Sequence, residues 1–117
     1  MENDNNVTDL SYLNKISNGD IDFIKEMIDV YMKQTPEAIN NLEKYLENKD
    51  WQMLRAAAHK MKPSFTFFGL TAMDAIINSL EEYSEKEIHL ELLPEMIAKI
   101  KLVCVKAMTE LKQKTFN

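Results

Sequence analysis

Residues that interrupt helices are scarce in this chain. Its 117 residues include only two glycines and three prolines, whereas Leu, Ile, Met, Lys and Glu are abundant. A turn-rich β fold uses many more glycines and prolines, and the abundant residue types favour helices. We therefore predict an all-α protein. A chain of this length can bury one hydrophobic core, so we expect residues 1–117 to form a single domain.

Apolar residues recur at helical spacing in five segments. Thr8 is placed to cap a short helix over 9–16, which Asn18 and Gly19 end. The first long helix is capped by Asp20, bends at Pro36 and continues to about residue 47, and the second is capped by Asp50 and ends near Gly69. The third is capped by Thr71. The last has Pro94 in its first turn and runs to about Lys114. Short connections between long helices favour antiparallel neighbours. The sequence thus predicts an up-and-down antiparallel four-helix bundle with a short extra N-terminal helix.

The charge pattern argues against two classes of partner. Fourteen basic residues are dispersed among 19 acidic ones, and the net charge is −5 with a pI near 5.0. A nucleic-acid binder needs a cationic surface, so we expect no nucleic-acid partner. Residues 1–6 are polar and acidic, unlike the start of a signal peptide, and no run approaches the ~18 apolar residues of a membrane span. We predict a cytoplasmic protein without a membrane partner.

The segment 54–70 carries the candidate reactive residue, His59. On a helix that advances about 100° per residue, His59 lies opposite an apolar face. That face contains Leu54, Ala57, Ala58, Met61, Phe65 and Phe68. We therefore expect His59 to be exposed midway along a bundle helix, with Phe65 and Phe68 buried behind it.

The neighbours of His59 favour phosphate chemistry. On the wheel, one flank of His59 holds Arg55, Lys62 and Thr66, and the other flank holds Ala56, Pro63 and Phe67. A neutral imidazole nitrogen is nucleophilic near neutral pH, and nearby cations offset the charge of a phosphoryl group. We interpret His59 as a phosphoryl acceptor, Lys62 as the cation that stabilises the phosphate charge, and Arg55 as further charge support.

At these residues the chain resembles the histidine-containing phosphotransfer (HPt) domains of multistep two-component phosphorelays. The family motif is approximately Ala-His-x-hydrophobic-Lys-Gly-Ser, followed by a Gly ten residues after the His. The matching positions here are Ala58, His59, Lys60, Met61, Lys62, Pro63, Ser64 and Gly69. The sequence departs from the motif at Pro63, where the family most often has a Gly that keeps the space beside the histidine open. The resemblance extends to the order and spacing of helices over nearly the whole chain.

This resemblance implies a phosphorelay intermediate that carries a phosphoryl group on His59 between aspartates of receiver domains. The partners would be receiver domains of response regulators and of a hybrid sensor histidine kinase. The receiver would supply the magnesium ion, and the chain itself would need no cofactor or metal. We expect a monomeric, stoichiometric carrier rather than an enzyme. The predicted partner-binding residues surround His59: Gln52, Ala56, Lys60, Pro63, Thr66 and Phe67.

Other kinds of site find little support. No Gly-rich phosphate loop or kinase signature is present, and His89 has no Cys or His at metal-ligand spacing. The single cysteine, Cys104, follows the apolar rhythm of the last helix, so we expect it in the core. The alternative function is a helical adaptor, in which the flank of Ala56, Pro63 and Phe67 binds a partner protein and His59 is incidental.

Overall fold

Helices account for nearly all regular structure in the computed structural model, which describes residues 6–114. Its five α-helices are α1 (Ser11–Ser17), α2 (Ile21–Glu47), α3 (Trp51–Phe67), α4 (Asp74–Lys86) and α5 (Leu93–Lys112). Single turns of 3₁₀-helix, Thr71–Met73 and Leu90–Leu92, lead into α4 and α5. No strand occurs within this part of the chain, so the prediction of an all-α fold is confirmed.

The four long helices form a bundle around one core. α3 packs against α4 on one side and α2 on the other, and α5 completes the ring by contacting both α2 and α4. The short α1 lies against α2 and α3, which confirms the predicted bundle with an extra N-terminal helix. Phe65, Phe68 and Cys104 are all buried in the core, as their helical spacing predicts.

Two aspartates start the helices that position the site. The Asp20 carboxylate accepts a hydrogen bond from the Phe23 N–H at the start of α2, at 3.2 Å. Asp50 does the same for the Met53 N–H at the start of α3, also at 3.2 Å. α2 continues through Pro36 to Glu47 as one helix, so both caps and the continuous helix agree with the prediction.

The predicted threonine caps are wrong. α1 begins at Ser11 with Leu10 at the N-cap position and no side-chain cap, so Thr8 lies before the capping position, where its hydroxyl donates to a carboxylate oxygen of Glu110 at 2.6 Å. A hydroxyl that donates one hydrogen bond can still accept another, so the cap is absent because of the position of Thr8 against Glu110 and not because its hydroxyl is used. Thr71 opens a 3₁₀ turn, and α4 starts only at Asp74, again without a side-chain cap.

The N-terminal segment before α1 closes one end of the bundle. The backbone N–H groups of Val7 and Thr8 also donate to Glu110, at 2.8 and 3.0 Å. The Asp9 N–H donates to the Phe68 carbonyl at 2.9 Å, beside Gly69, which has a φ of +70°. α3 therefore ends next to Gly69, as predicted, and the N-terminal segment that covers this end is hydrogen-bonded to Glu110 of α5.

The charge of Glu110 strengthens this closure. Partial burial by itself raises the pKa of Glu110, but the hydrogen bonds from Thr8 and Val7 and the charge of Lys106 outweigh it. The net result is a pKa below the ordinary value, so Glu110 is anionic at neutral pH.

Candidate functional site

His59 lies near the middle of α3 and faces solvent. The buried face of α3 consists of Leu54, Ala58, Met61 and Phe65, so the opposite face is exposed. The side chain of His59 retains 66% of its accessible surface. This matches the position expected from the helical wheel, except that Ala58 rather than Ala57 is the fully buried alanine.

The most informative contact of His59 comes from α4. One carboxylate oxygen of Glu81, Oε2, lies 2.9 Å from Nδ1 of His59. An ionised carboxylate can only accept hydrogen bonds, so Nδ1 must carry the proton. This tautomer leaves the lone pair on Nε2, the other ring nitrogen, available to react.

Glu81 also joins His59 to Lys62. Its second oxygen, Oε1, lies 2.6 Å from the Lys62 ammonium, in an ion pair rather than a well-directed hydrogen bond. Partial burial by itself raises the pKa of Glu81, but Lys62 and His59 outweigh that effect and lower the pKa overall. Glu81 is only 18% exposed, so its charge is held near the histidine with limited screening.

The two flanks of His59 face different helices. Lys62 lies on the α4 side, where it reaches Glu81, and the ammonium side chain is 36% exposed. Arg55, one turn before His59, is half-buried and forms no hydrogen bond or ion pair with a residue in the range 6–114. No contact from residues 6–114 therefore supports the predicted role of Arg55 in stabilising the phosphate charge. Gln52 and Thr66 are exposed on the same side.

The other flank faces α2 and is largely apolar. Ala56, Lys60 and Pro63 are exposed, and Phe67 is half-buried with its ring 6.0 Å from that of Tyr12 in α1. Pro63 does not end α3, which continues as a helix to Phe67. The six predicted partner-binding residues therefore lie on one continuous side of α3, around the histidine.

Glu81 is the site residue that sequence reasoning missed. It follows Leu80, which belongs to the buried stripe of α4, so the sequence places it at the border of that stripe. Several glutamates of α4 are candidates for such a border position, and only the rotation of α4 against α3 selects Glu81.

Residues 6–114 contain neither a cluster of metal-ligating side chains nor a membrane-spanning helix. No group of three or more His, Cys, Asp or Glu side chains is placed to hold a metal ion. No helix in the same range has the length and apolar character needed to cross a membrane.

Comparisons with known proteins point to one family. The sequence model of the Hpt domain matches residues 26–114. The phosphorelay intermediate protein YPD1 of Candida albicans is 28% identical over 64 residues, which are 55% of this chain and 35% of YPD1. The match therefore spans about a third of that relative. The crystal structure of histidine-containing phosphotransfer protein B (HptB) from Pseudomonas aeruginosa PAO1 has the same fold, with a TM-score of 0.80, 21% identity and 95% coverage of both chains.

Proposed function

The chain belongs to the Hpt domain family, and we propose that it is a phosphorelay intermediate whose phosphoryl carrier is His59. The observation that carries this proposal is the exposed imidazole with its Nδ1 bound to Glu81 and its Nε2 free. A receiver domain with an aspartyl phosphate would be the donor, and the aspartate of another receiver would be the acceptor. The relative named a phosphorelay intermediate supports the same role.

The transfer requires one bond to form and one to break. The lone pair of Nε2 attacks phosphorus, the N–P bond forms, and the bond from phosphorus to the aspartate oxygen breaks and leaves a carboxylate. The proton stays on Nδ1 throughout, where Glu81 stabilises the positive charge that develops on the ring. Transfer to the next receiver is the reverse of this step. The receiver domain would bring the magnesium ion.

Lys62 supplies the nearest positive charge on the chain's side of the reaction. Its ammonium is already held beside the histidine through Glu81, and its exposure leaves room for a phosphate oxygen to approach. We propose that it offsets part of the charge of the phosphoryl group. Arg55 would contribute less, because no hydrogen bond or ion pair from residues 6–114 holds it at the site.

The partner-binding surface would be the exposed side of α3 around His59. Receiver domains of response regulators and of a hybrid sensor histidine kinase would cover Gln52, Ala56, Lys60, Pro63, Thr66 and Phe67. Docking over these residues would exclude water and align the aspartyl phosphate with Nε2. In this scheme the protein is a monomeric, stoichiometric carrier in the cytoplasm, without an ATP site of its own.

The direct test is transfer from a phosphorylated receiver domain in the presence of magnesium. We expect the chain to be labelled and the label to be acid-labile and alkali-stable, as for a phosphate bound to nitrogen. His59→Gln should abolish labelling. His89→Gln, which changes the other exposed histidine, is the matched control and should leave labelling intact.

Two further variants grade the contributions of the cations. Lys62→Ala should slow transfer without abolishing it, because a neighbouring cation assists the charge but does not form the bond. Arg55→Ala should have a smaller effect. The phosphorelay assignment fails if the His59→Gln protein is still labelled or if no receiver labels the wild type. The helical adaptor is then the remaining interpretation.

A further inference from the structure

The outer face of α5 carries an apolar seam that is open to solvent. Its members are exposed and recur at intervals of four, three and four residues: Ala98, Leu102, Val105 and Thr109. At ~100° per residue these positions fall within about 60° of one another, on the side of α5 away from its buried face. Leu102 is the most exposed large apolar side chain in residues 6–114, at 70%, and Val105 is 44% exposed. α5 therefore presents two large apolar side chains to solvent, one turn apart.

Exposed lysines border this seam on both sides. On the helical wheel, one border consists of Lys99 and Lys106, and the other of Lys101 and Lys112. The Lys101 ammonium pairs with Glu43 of α2 at 3.1 Å, but its side chain is still 51% exposed. The seam is thus an apolar strip between two rows of positive charge.

The acidic side chains of α5 do little to cancel this charge. Glu110 interacts with the charge of Lys106, but it lies off the seam and its oxygens accept hydrogen bonds from Thr8 and Val7. Glu95 lies before the seam, at the N-terminal end of the helix. With four lysines and two glutamates, α5 is a cationic helix in a chain of net charge −5. Charge complementarity therefore favours an acidic partner at the seam.

The spacing of the seam indicates what kind of partner fits it. Intervals of four and three residues are those of the a and d positions of a coiled coil, and the charges at the flanking e and g positions select the partner helix. The seam follows this register, with Leu102 and Thr109 at a, Ala98 and Val105 at d, Lys99 and Lys106 at e, and Lys101 at g. An amphipathic helix with acidic residues at its own e and g positions matches this pattern.

Two other occupants fit the seam less well. In a second copy of this chain, α5 would place lysines opposite lysines in either orientation, because the e and g positions beside the seam hold no acidic residue. A helix that binds a lipid surface buries a broad face of large apolar side chains, whereas this seam supplies one Leu and one Val.

We propose that the outer seam of α5 is a docking site for a partner protein that contributes an amphipathic helix with acidic residues on both borders of its apolar stripe. Leu102 and Val105 pack against that stripe, and the lysines pair with the carboxylates. α5 lies across the bundle from α3, since both helices pack against α2 and α4. The seam therefore points away from His59, so a partner held there leaves the histidine open to a receiver domain. This last clause rests on the proposed function.

The probe is an acidic peptide of three heptads with Ile at a, Leu at d and Glu at e and g. A matched basic peptide has Lys at e and g instead. Each is titrated into the ¹⁵N-labelled full chain and followed by NMR. We expect the acidic peptide to give saturable shifts of α5 amides around Leu102 and to bind at least about 10-fold more tightly than the basic one. Added NaCl should weaken binding, because it screens exposed charges.

Leu102→Ser tests the apolar part of the seam. Since Leu102 is 70% exposed, the variant should keep the stability of the wild type, and its affinity for the acidic peptide should fall by at least about 10-fold. Ile16→Ser is the matched control, because it removes an apolar side chain of α1 that is 47% exposed. It should leave the affinity unchanged.

A charge reversal tests the lysine borders. The double variant Lys99→Glu/Lys106→Glu should lose the acidic peptide and bind the basic one. Lys15→Glu/Lys33→Glu makes the same change in net charge on α1 and α2 and should keep the preference of the wild type. Thermal unfolding checks that both double variants are folded.

Several results would overturn the proposal. They are shifts that do not saturate, shifts confined to other helices, equal affinity for the two peptides, and an unchanged affinity in Leu102→Ser. Self-association in sedimentation velocity that Leu102→Ser abolishes would assign the seam to a second copy. Binding of phosphatidylserine vesicles through the same amides, without binding of the acidic peptide, would assign it to a lipid surface.

Phosphotransfer is measured separately. With saturating acidic peptide, a phosphorylated receiver should label the wild type at an unchanged rate. If the peptide binds at the seam but blocks labelling, the docking site stands and the clause about access to His59 is wrong. If no receiver labels the protein at all, the proposed function fails while the peptide result is untouched.

Discussion

Replacement of Glu81 by Gln is the sharpest test of how the site is organised. The carboxylate accepts a hydrogen bond from Nδ1 of His59 at 2.9 Å and pairs with the Lys62 ammonium at 2.6 Å. A Gln side chain has nearly the same shape, but its amide can present either an oxygen or an N–H group to the ring. Glu81→Gln therefore removes the requirement that Nδ1 carry the proton.

The expected magnitude follows from the exposure of the partners. A hydrogen bond to a charged group contributes ~1.5–3 kcal/mol in a buried setting, but solvent around His59 reduces this to roughly 0.5–1 kcal/mol. The ion pair with Lys62 contributes about 0.2–1 kcal/mol. Since Gln keeps one acceptor oxygen, we expect a loss of about 1 kcal/mol in the free energy of unfolding, or about 4 °C in Tm.

Loss of the hydrogen bond from Nδ1 to Glu81 should also slow phosphotransfer. Loss of about 1 kcal/mol of preference for the reactive tautomer corresponds to a factor of about five in its equilibrium with the other tautomer. Multiple-bond ¹H–¹⁵N NMR of the His59 ring reports which nitrogen carries the proton. We expect the wild type to show mainly the Nδ1–H form and Glu81→Gln to show a mixture. Transfer from a phosphorylated receiver should slow by a similar factor.

The matched control is Glu82→Gln. Glu82 is the next residue and is exposed, and within residues 6–114 it pairs only with Lys86, at 3.2 Å, so this variant makes the same charge change away from the histidine. It should change stability by no more than ~0.5 kcal/mol and leave the tautomer and transfer rate unchanged. If Glu81→Gln also leaves both unchanged, Glu81 does not position His59 and our reasoning about the site is wrong.

Three further predictions concern stability, each measured by chemical denaturation. Phe65→Ala should cost roughly 3–5 kcal/mol, the usual loss for a buried aromatic, and a small loss would mean that Phe65 is not part of a tightly packed core. Gly69→Ala should cost at least ~2 kcal/mol, because the φ of Gly69 is +70° and an added Cβ would lie 2.6 Å from the Asp9 carbonyl oxygen. Gly19→Ala is the control and should cost only ~1 kcal/mol, because Gly19 has a φ of +78° but open space around it. Equal losses would rule out the close contact at Gly69. The pKa of Glu110 in the folded protein lies below its ordinary value of 4.5, so its stabilisation is present above pH 4.5 and is lost as the pH falls through the lowered pKa. Glu110→Gln should flatten that decline, and an unchanged pH profile would contradict the assignment.

The local features of this protein follow from the sequence because they depend on residues only a few positions apart. Helical spacing, the caps Asp20 and Asp50, and the glycine at position 69 determine where α2 and α3 begin and where α3 ends. The same spacing separates the buried Phe65 from the exposed His59. The motif around His59 and the order and spacing of the helices resemble the Hpt family without any tertiary information, and the family match confirms the resemblance.

The contacts that organise the site join residues that are far apart in sequence. Glu81 is 22 positions from His59, and Glu110 is 102 positions from the Thr8 it draws away from its predicted capping role.

These contacts depend on how each helix is rotated and shifted against its neighbours. Glu85 lies one turn after Glu81 and only about 40° further around α4, so a small rotation and a shift of one turn would bring it to the histidine instead while the same apolar face stayed buried. The rotation that the protein adopts is set by the simultaneous packing of the whole core, in which every buried side chain must fit at near-crystalline density. Periodicity therefore determines which face of each helix is buried, and only core packing decides which side chains of neighbouring helices meet.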